Sequence, residues 1–219
     1  AAFGVLMGAS VDAERVRLRD NFNVGLDLWD FGTTVHATDL IIENTNPLQN
    51  ATYCGCLAPY LGWFGYGISI YNGASLTGDN ITVSGSHDSG VWLYGDDSRM
   101  DVSDLLIADT HASGGQGGGF GIYAVEDSLI FVDRGKITRS DRESVYVEDA
   151  YASLSQMVLE DAGAQVDFTD PDVSDEDIEV FGGSDKAITG LDGAYISASR
   201  VIAKHAKTAG IWLSGFGTV

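Results

Sequence analysis

Acidic residues outnumber basic ones 32 to 12 in this 219-residue chain, a formal charge of −20 that repels nucleic acid and anionic membrane surfaces. With 44% apolar residues it can bury a continuous core, yet no apolar run approaches the ~18 residues that cross a bilayer. Neither nucleic-acid binding nor membrane insertion is predicted, whereas divalent cations, neutral ligands or plain solubility in salt suit the charge.

The chain opens on Ala1, Ala2 and Phe3, with no basic region followed by an apolar one, and a first repeat unit begins there. Gly8 to Gly25, GASVDAERVRLRDNFNVG, aligns with Gly73 to Gly90, GASLTGDNITVSGSHDSG. Gly25 to Thr45 then aligns with Gly90 to Thr110, placing Gly25, Leu26, Leu28, Val35, Leu40 and Ile42 on Gly90, Val91, Leu93, Met100, Leu105 and Ile107. Ala2 to Gly25, Gly67 to Gly90, Gly121 to Ser144 and Ala187 to Gly210 each span 23 positions. The longer intervals between these units mark loop insertions near 46–66, 111–120 and 163–186. Pro47, Pro59 and Pro171 all fall inside the insertions, as does the run GGQGGG from Gly114 to Gly119. Proline lacks the N–H that a ladder needs, so this placement supports strands elsewhere. The first insertion also holds Cys54 and Cys56, too few cysteines for a disulfide scaffold or a closed zinc site.

Apolar residues two apart define the inward walls. Phe3 and Val5, Leu26 and Leu28, Ile68 and Ile70, Val91 and Leu93 begin one stack; Leu40 and Ile42, Ile81 and Val83, Leu105 and Ile107 begin another. VDAERVRLRD and SRVIAKHAKTAG could each be drawn as an amphipathic helix, but their register with clearer units predicts strand. A 23-residue unit with short apolar pairs and no helix-length segment predicts an all-β fold. The expected architecture is a single-stranded right-handed parallel β-helix, a solenoid of about seven and a half rungs, spanning residues 1–219 as one segment of a longer chain. Its open ends call for further rungs or capping domains at both ends.

This pattern resembles the right-handed parallel β-helix superfamily of pectate lyases, polygalacturonases and tailspike depolymerases. The chain has no Asn-Thr-Asp, Gly-His-Gly and Arg-Ile-Lys set like the polygalacturonases, and no Arg-Pro-containing strand like the pectate lyases, so the resemblance is to the fold alone. It implies a secreted or cell-surface setting and a structural or polysaccharide-binding role, with polysaccharide cleavage by a lyase or glycoside hydrolase as the alternative.

The expected outward positions of the first strand in each unit carry an aromatic row: Trp29, Tyr71, Trp92, Tyr94, Tyr123, Tyr146 and Trp212. At ~4.8 Å per strand, Trp92, Tyr123 and Tyr146, with Trp29 and Tyr94, could form a platform for the sugar rings of a neutral glycan. They could equally pack beneath the first insertion, whose Tyr53, Tyr60, Trp63, Phe64 and Tyr66 could fold over them. Beside the row stand Asp30, Asp96, Asp97, Glu126, Asp127, Glu148, Asp149 and Asp192. Glu126 with Glu148 or Asp149 is the candidate catalytic pair, since carboxylates one strand apart approach the separation of retaining glycosidases. Lys136, Arg139 and Arg142 are expected on another face, away from them, which counts against a lyase. No cofactor is required, although Asp167, Asp170, Asp172, Asp175 and Asp177 in the third insertion offer hard oxygen ligands for calcium. The alternative is a solvated acidic loop. His36, His87, His111 and His205 are expected on different faces, with no shared metal.

Overall fold

The computed structural model describes residues 1–47, 65–113, 117–163 and 186–215, and they form two large parallel sheets. The first holds eight strands in the order β1 (Phe3–Val5), β4 (Val24–Trp29), β6 (Tyr66–Tyr71), β8 (Ser89–Tyr94), β12 (Phe120–Val125), β14 (Val145–Glu148), β16 (Lys186–Leu191) and β19 (Ala209–Ser214). The second runs through β2 (Ser10–Glu14), β5 (Thr34–Asn46), β7 (Ser75–Ser86), β9 (Arg99–Thr110), β13 (Leu129–Ser140), β15 (Tyr151–Ala162) and β17 (Tyr195–Ser199). β3 (Arg17–Phe22) also pairs with β5, and β18 (Ile202–Lys204) also pairs with β15. A short antiparallel hairpin, β10 (Ala112–Ser113) and β11 (Gly117–Gly118), lies in the second insertion. VDAERVRLRD is extended, forming β2 and the start of β3.

The architecture corrects the solenoid expected from the repeat. The chain alternates between two stacked parallel sheets, neither of which closes or curls, and this overturns the single right-handed β-helix and with it the pectate-lyase-like resemblance. The physical reason is that a repeat period specifies which strand lies beside which, but not how the resulting ladders assemble. The register itself is the one the repeat predicts: Leu26 pairs with Ile68, Ile68 with Val91, Val91 with Ile122, Ile122 with Val145, and Val145 with Ile188. Both inward walls meet in one core, in which Leu28, Ile42, Ile70, Ile81, Leu93, Ile107, Ile137, Val147 and Leu159 are fully buried.

The long strands of the second sheet do not alternate simply. In β9 the buried residues other than the small Ala108 are Met100, Val102, Leu105, Ile107 and Thr110, in steps of two and three. Each step of three contains a residue with left-handed backbone, Asp104 (φ 54°) and Asp109 (φ 56°), which resets the parity so that the next pair faces the core again. The resets are aligned across strands: Asp39, Asn80, Asp104, Arg134 and Gln156 form one column, and Asp20, Asn44, Gly85, Asp109, Arg139 and Asp161 another. Asn and Asp tolerate this conformation best, and neighbours in a column bond laterally. Asn44 donates to Asp20 (3.0 Å), Asn80 to Asp39, and Arg134 bidentately to Asp104 (2.9 and 3.0 Å). The Arg139 and Arg134 guanidiniums hold the Asp109 and Asp104 carboxyls below the usual carboxylate range.

A second device explains the repeated glycine. A Cβ on Gly90 would lie 2.6 Å from Ile107 Cγ2 and 2.7 Å from the Gly121 carbonyl oxygen of the next strand. Gly25 meets Ile42 (2.5 Å), the Gly67 carbonyl and Thr45 in the same way, and Gly67 and Gly121 repeat the arrangement. Where the column changes to Ser144, fully buried, the facing residues change with it: Ile137 and Ser140 are replaced by Leu159 and Ala162. The γ-methyl and hydroxyl that crowd the glycine are gone, so the repeat carries its own compensating substitutions.

Candidate functional site

The outer face of the first sheet gathers most of the aromatic residues among those described. Trp29 and Tyr71 lie with ring centroids 5.1 Å apart, Tyr71 meets Trp92 edge-on at 4.4 Å, and Tyr94 lies 5.8 Å from both Tyr71 and Trp92. These four make one continuous cluster. Trp29 is exposed, at 41%, and the other three are half-buried. Buried Tyr66 stacks against Trp92 at 4.5 Å and so covers one indole face. Tyr123 and Tyr146 form a second group, stacked at 4.8 Å and 5° and joined by buried Phe120. Rings stacked so nearly parallel spend their faces on each other and turn mainly edges outward. Burial pushes the Tyr123 hydroxyl up to about 12 and raises those of Tyr66, Tyr71 and Tyr146 as well. Tyr53, Tyr60, Trp63 and Phe64 lie outside the described residues.

The carboxylate row has a structural origin. Asp30, Asp97, Glu126, Asp127, Asp149 and Asp192 all adopt left-handed backbone in the turns that lead from the first sheet to the second. Buried hydroxyls staple those turns: Thr33 Oγ1 donates to the Trp29 carbonyl (2.5 Å) and accepts from the Gly8 N–H (2.9 Å), and Ser98 repeats this with the Tyr94 carbonyl and Gly73. Of the candidate catalytic residues, Glu148 accepts a hydrogen bond from the Tyr146 hydroxyl (2.8 Å), and Glu126 accepts one from Tyr94, raising that phenol. Asp149 is a turn residue whose backbone carbonyl accepts from the Asp127 N–H.

Asp27, in β4, is a further carboxyl at this face, which no motif or spacing in the sequence marks out. It sits opposite Ser69 on the outer face, beside the Trp29–Tyr71 pair, and burial raises its proton affinity against the lowering pull of hydrogen bonds from Ser69 and Trp29. A carboxyl whose folded pKa lies above its unfolded value adds stability while protonated and loses it as pH rises through the folded pKa. Asp27→Asn is therefore expected to raise the melting temperature at pH 7, and the gain should vanish under acid conditions where Asp27 is protonated in both states. Parallel thermal melts at the two pH values check this; a variant less stable at pH 7 would show that the ionised carboxylate is the favoured form.

Other neighbours also escaped the sequence. Arg142, expected on a different face, lies 4.7 Å above the Phe120 ring and 3.8 Å from the Glu143 carboxylate. Glu143 is 2% exposed and accepts from the Thr189 hydroxyl at 3.3 Å. The signal that could have found them is their position next to the glycine column, since Glu143 directly precedes Ser144 as Phe120 precedes Gly121. His87 and His111, expected apart, form a parallel bridge with ring centroids 5.4 Å apart; burial and the His111 charge lower His87. Among the described residues no group of three His, Cys, Asp or Glu side chains is placed to hold a metal ion. The calcium candidates Asp167, Asp170, Asp172, Asp175 and Asp177, like Cys54 and Cys56, lie outside the described residues. A shallow cavity of about 240 Å³, lined by Asp101, Ser103, Phe131, Asp133, Ser153 and Ser155 among others, belongs to the second sheet and is remote from the aromatic row in the register. Comparison with protein-family models, curated proteins and solved structures found no match.

Proposed function

We propose that the chain is a structural, repeat-built scaffold of the cell exterior that binds a neutral polysaccharide along the outer face of its first sheet. The observation that carries this reading is the Trp29–Tyr71–Trp92–Tyr94 cluster, a half-exposed aromatic strip on a sheet whose other face is the core. Outward strand positions facing water are ordinarily polar, and a run of aromatics there fits flat, weakly polar ligands such as pyranose rings. Asp27 and Glu126 border the strip with hydrogen-bonding groups that suit ring hydroxyls. The strong negative charge favours an uncharged glycan over a uronate polymer.

A glycan array probed with the whole chain tests the reading, followed by titration of whichever neutral oligosaccharide binds. Trp29→Ala and Trp92→Ala should each weaken binding by on the order of tenfold, as truncation of a central aromatic anchor does. Tyr123→Ala should cost less, because that ring is already stacked on Tyr146. Binding unchanged in the Trp29→Ala, Trp92→Ala double variant would remove the aromatic strip from the account.

Calcium is proposed separately for the acidic segment from Asp167 to Glu179. If calcium binds the folded chain there, melting temperature rises with calcium beyond the rise given by sodium chloride at matched ionic strength. Asp170→Asn with Asp172→Asn should abolish that excess. An excess that persists in this variant places the ion elsewhere.

A further inference from the structure

We propose that His87 and His111 together chelate one divalent transition-metal ion of the kind imidazole prefers, zinc, nickel or copper, with Asp141 positioning the His111 ring. The three residues are successive members of one ladder column. His87 and His111 form a parallel bridge, and Asp141 follows Ser140, whose strand partner Thr110 precedes His111. The main chain is fixed at each of them: the His87 N–H donates to the Gly65 carbonyl (2.9 Å), the His111 N–H to that of Ser86 (2.8 Å) and the Asp141 N–H to that of Thr110 (2.9 Å). Both rings are within reach of an ion from solvent, since the His111 side chain is 49% exposed and His87 is half-buried.

The spacing of the rings is that of a chelate. With metal–nitrogen bonds of ~2.0 Å, two imidazoles on one tetrahedral ion hold their centroids about 5 Å apart. The His87 and His111 centroids lie 5.4 Å apart, with the rings tilted by 47°. Asp141 Oδ2 lies 3.7 Å from His111 Nδ1 and is itself held by the Ala112 N–H (2.9 Å). A carboxylate beside one nitrogen of a ligating histidine fixes the ring and makes the other nitrogen a better ligand, which assigns the metal to His111 Nε2. Burial and the neighbouring His111 lower the proton affinity of His87, which keeps its imidazole in the neutral, ligating form at neutral pH. Two protein ligands agree with the absence, among the described residues, of any three-residue group placed to hold an ion, and water completes the coordination. The −20 charge of the chain draws cations towards it, but calcium takes oxygen ligands and is not suited by an imidazole pair.

Titration of the 219-residue chain with zinc at neutral pH, followed by nuclear magnetic resonance of the histidine ring protons, tests the proposal. Zinc should shift the His87 and His111 signals together and leave those of His36 and His205 in place, whereas calcium at the same concentration should move neither of the pair. Calorimetry in a Cys54→Ser, Cys56→Ser background, which removes competing thiols, should give one zinc ion per chain. There His87→Ala and His111→Ala should each weaken binding by roughly tenfold or more, and Asp141→Asn by about tenfold. Asp141→Glu keeps the carboxylate and should weaken it less. Circular dichroism establishes that each variant is folded, and the ring-proton measurement needs no variant at all. Zinc that shifts neither ring or only one, equal shifts with calcium, or folded His87→Ala, His111→Ala or Asp141→Asn chains that bind as the parent does would each overturn the proposal.

Discussion

Gly90→Ala is expected to destabilise the fold by about 1–3 kcal/mol, the usual cost of forcing a methyl group into a filled interior. The added Cβ would stand 2.6 Å from Ile107 Cγ2 and 2.7 Å from the Gly121 carbonyl oxygen, and the second of these is backbone held in a ladder. Chemical denaturation measures the loss as a lower midpoint at unchanged slope. The chain also predicts its own remedy. Gly90→Ser alone should be at least as damaging, but combined with Ile107→Leu and Thr110→Ala it rebuilds the Ser144, Leu159, Ala162 arrangement and should recover much of the loss. No recovery would mean that the crowding at Gly90 comes from the backbone oxygen alone.

Ile107→Ala should cost about 2–5 kcal/mol, because the side chain is fully buried and its removal leaves a cavity between the sheets. For a domain of this size that corresponds to a fall in melting temperature of roughly 4–20 °C. The neighbouring Leu106 faces outward and is 37% exposed, so Leu106→Ala should lie within about 0.5 kcal/mol of the parent. The comparison tests parity directly. Equal losses at 106 and 107 would show that the reset at Asp104 does not orient this part of β9 as described.

Strand identity and register were legible because both are carried by local apolar spacing and by self-similarity. Leu26, Ile68, Val91 and Ile122 fall in one column in the sequence and in one column in the sheet. What the spacing could not convey was continuity: the step from Val102 to Leu105 looks like a break between strands, whereas Asp104 in left-handed backbone lets β9 run through it. Nor could a period distinguish one coiling sheet from two stacked ones, and there the solenoid reading failed. Of the site, the aromatic row was legible and its internal stacking was not, because one residue per unit says where a ring projects but not which neighbour its face meets. The carboxylates misled for a related reason. Asp127 and Asp149 suit left-handed turns whatever chemistry happens nearby, so a row of them follows from the repeat itself. Asp27 went unweighted because a lone Asp at an outward position reads as solvated, and only its burial beside Trp29 and Tyr71 sets it apart.

Nuclear magnetic resonance of the indole N–H signals during titration with a neutral oligosaccharide tests the binding face most directly. The four tryptophans give four reporters, of which Trp29 and Trp92 lie in the aromatic strip and Trp212 lies on the far edge strand. The account predicts saturable shifts of the Trp29 and Trp92 signals, with Trp212 unmoved. Saturable binding that leaves both unmoved, and instead perturbs residues around Phe131 and Ser153 on the second sheet, would contradict it.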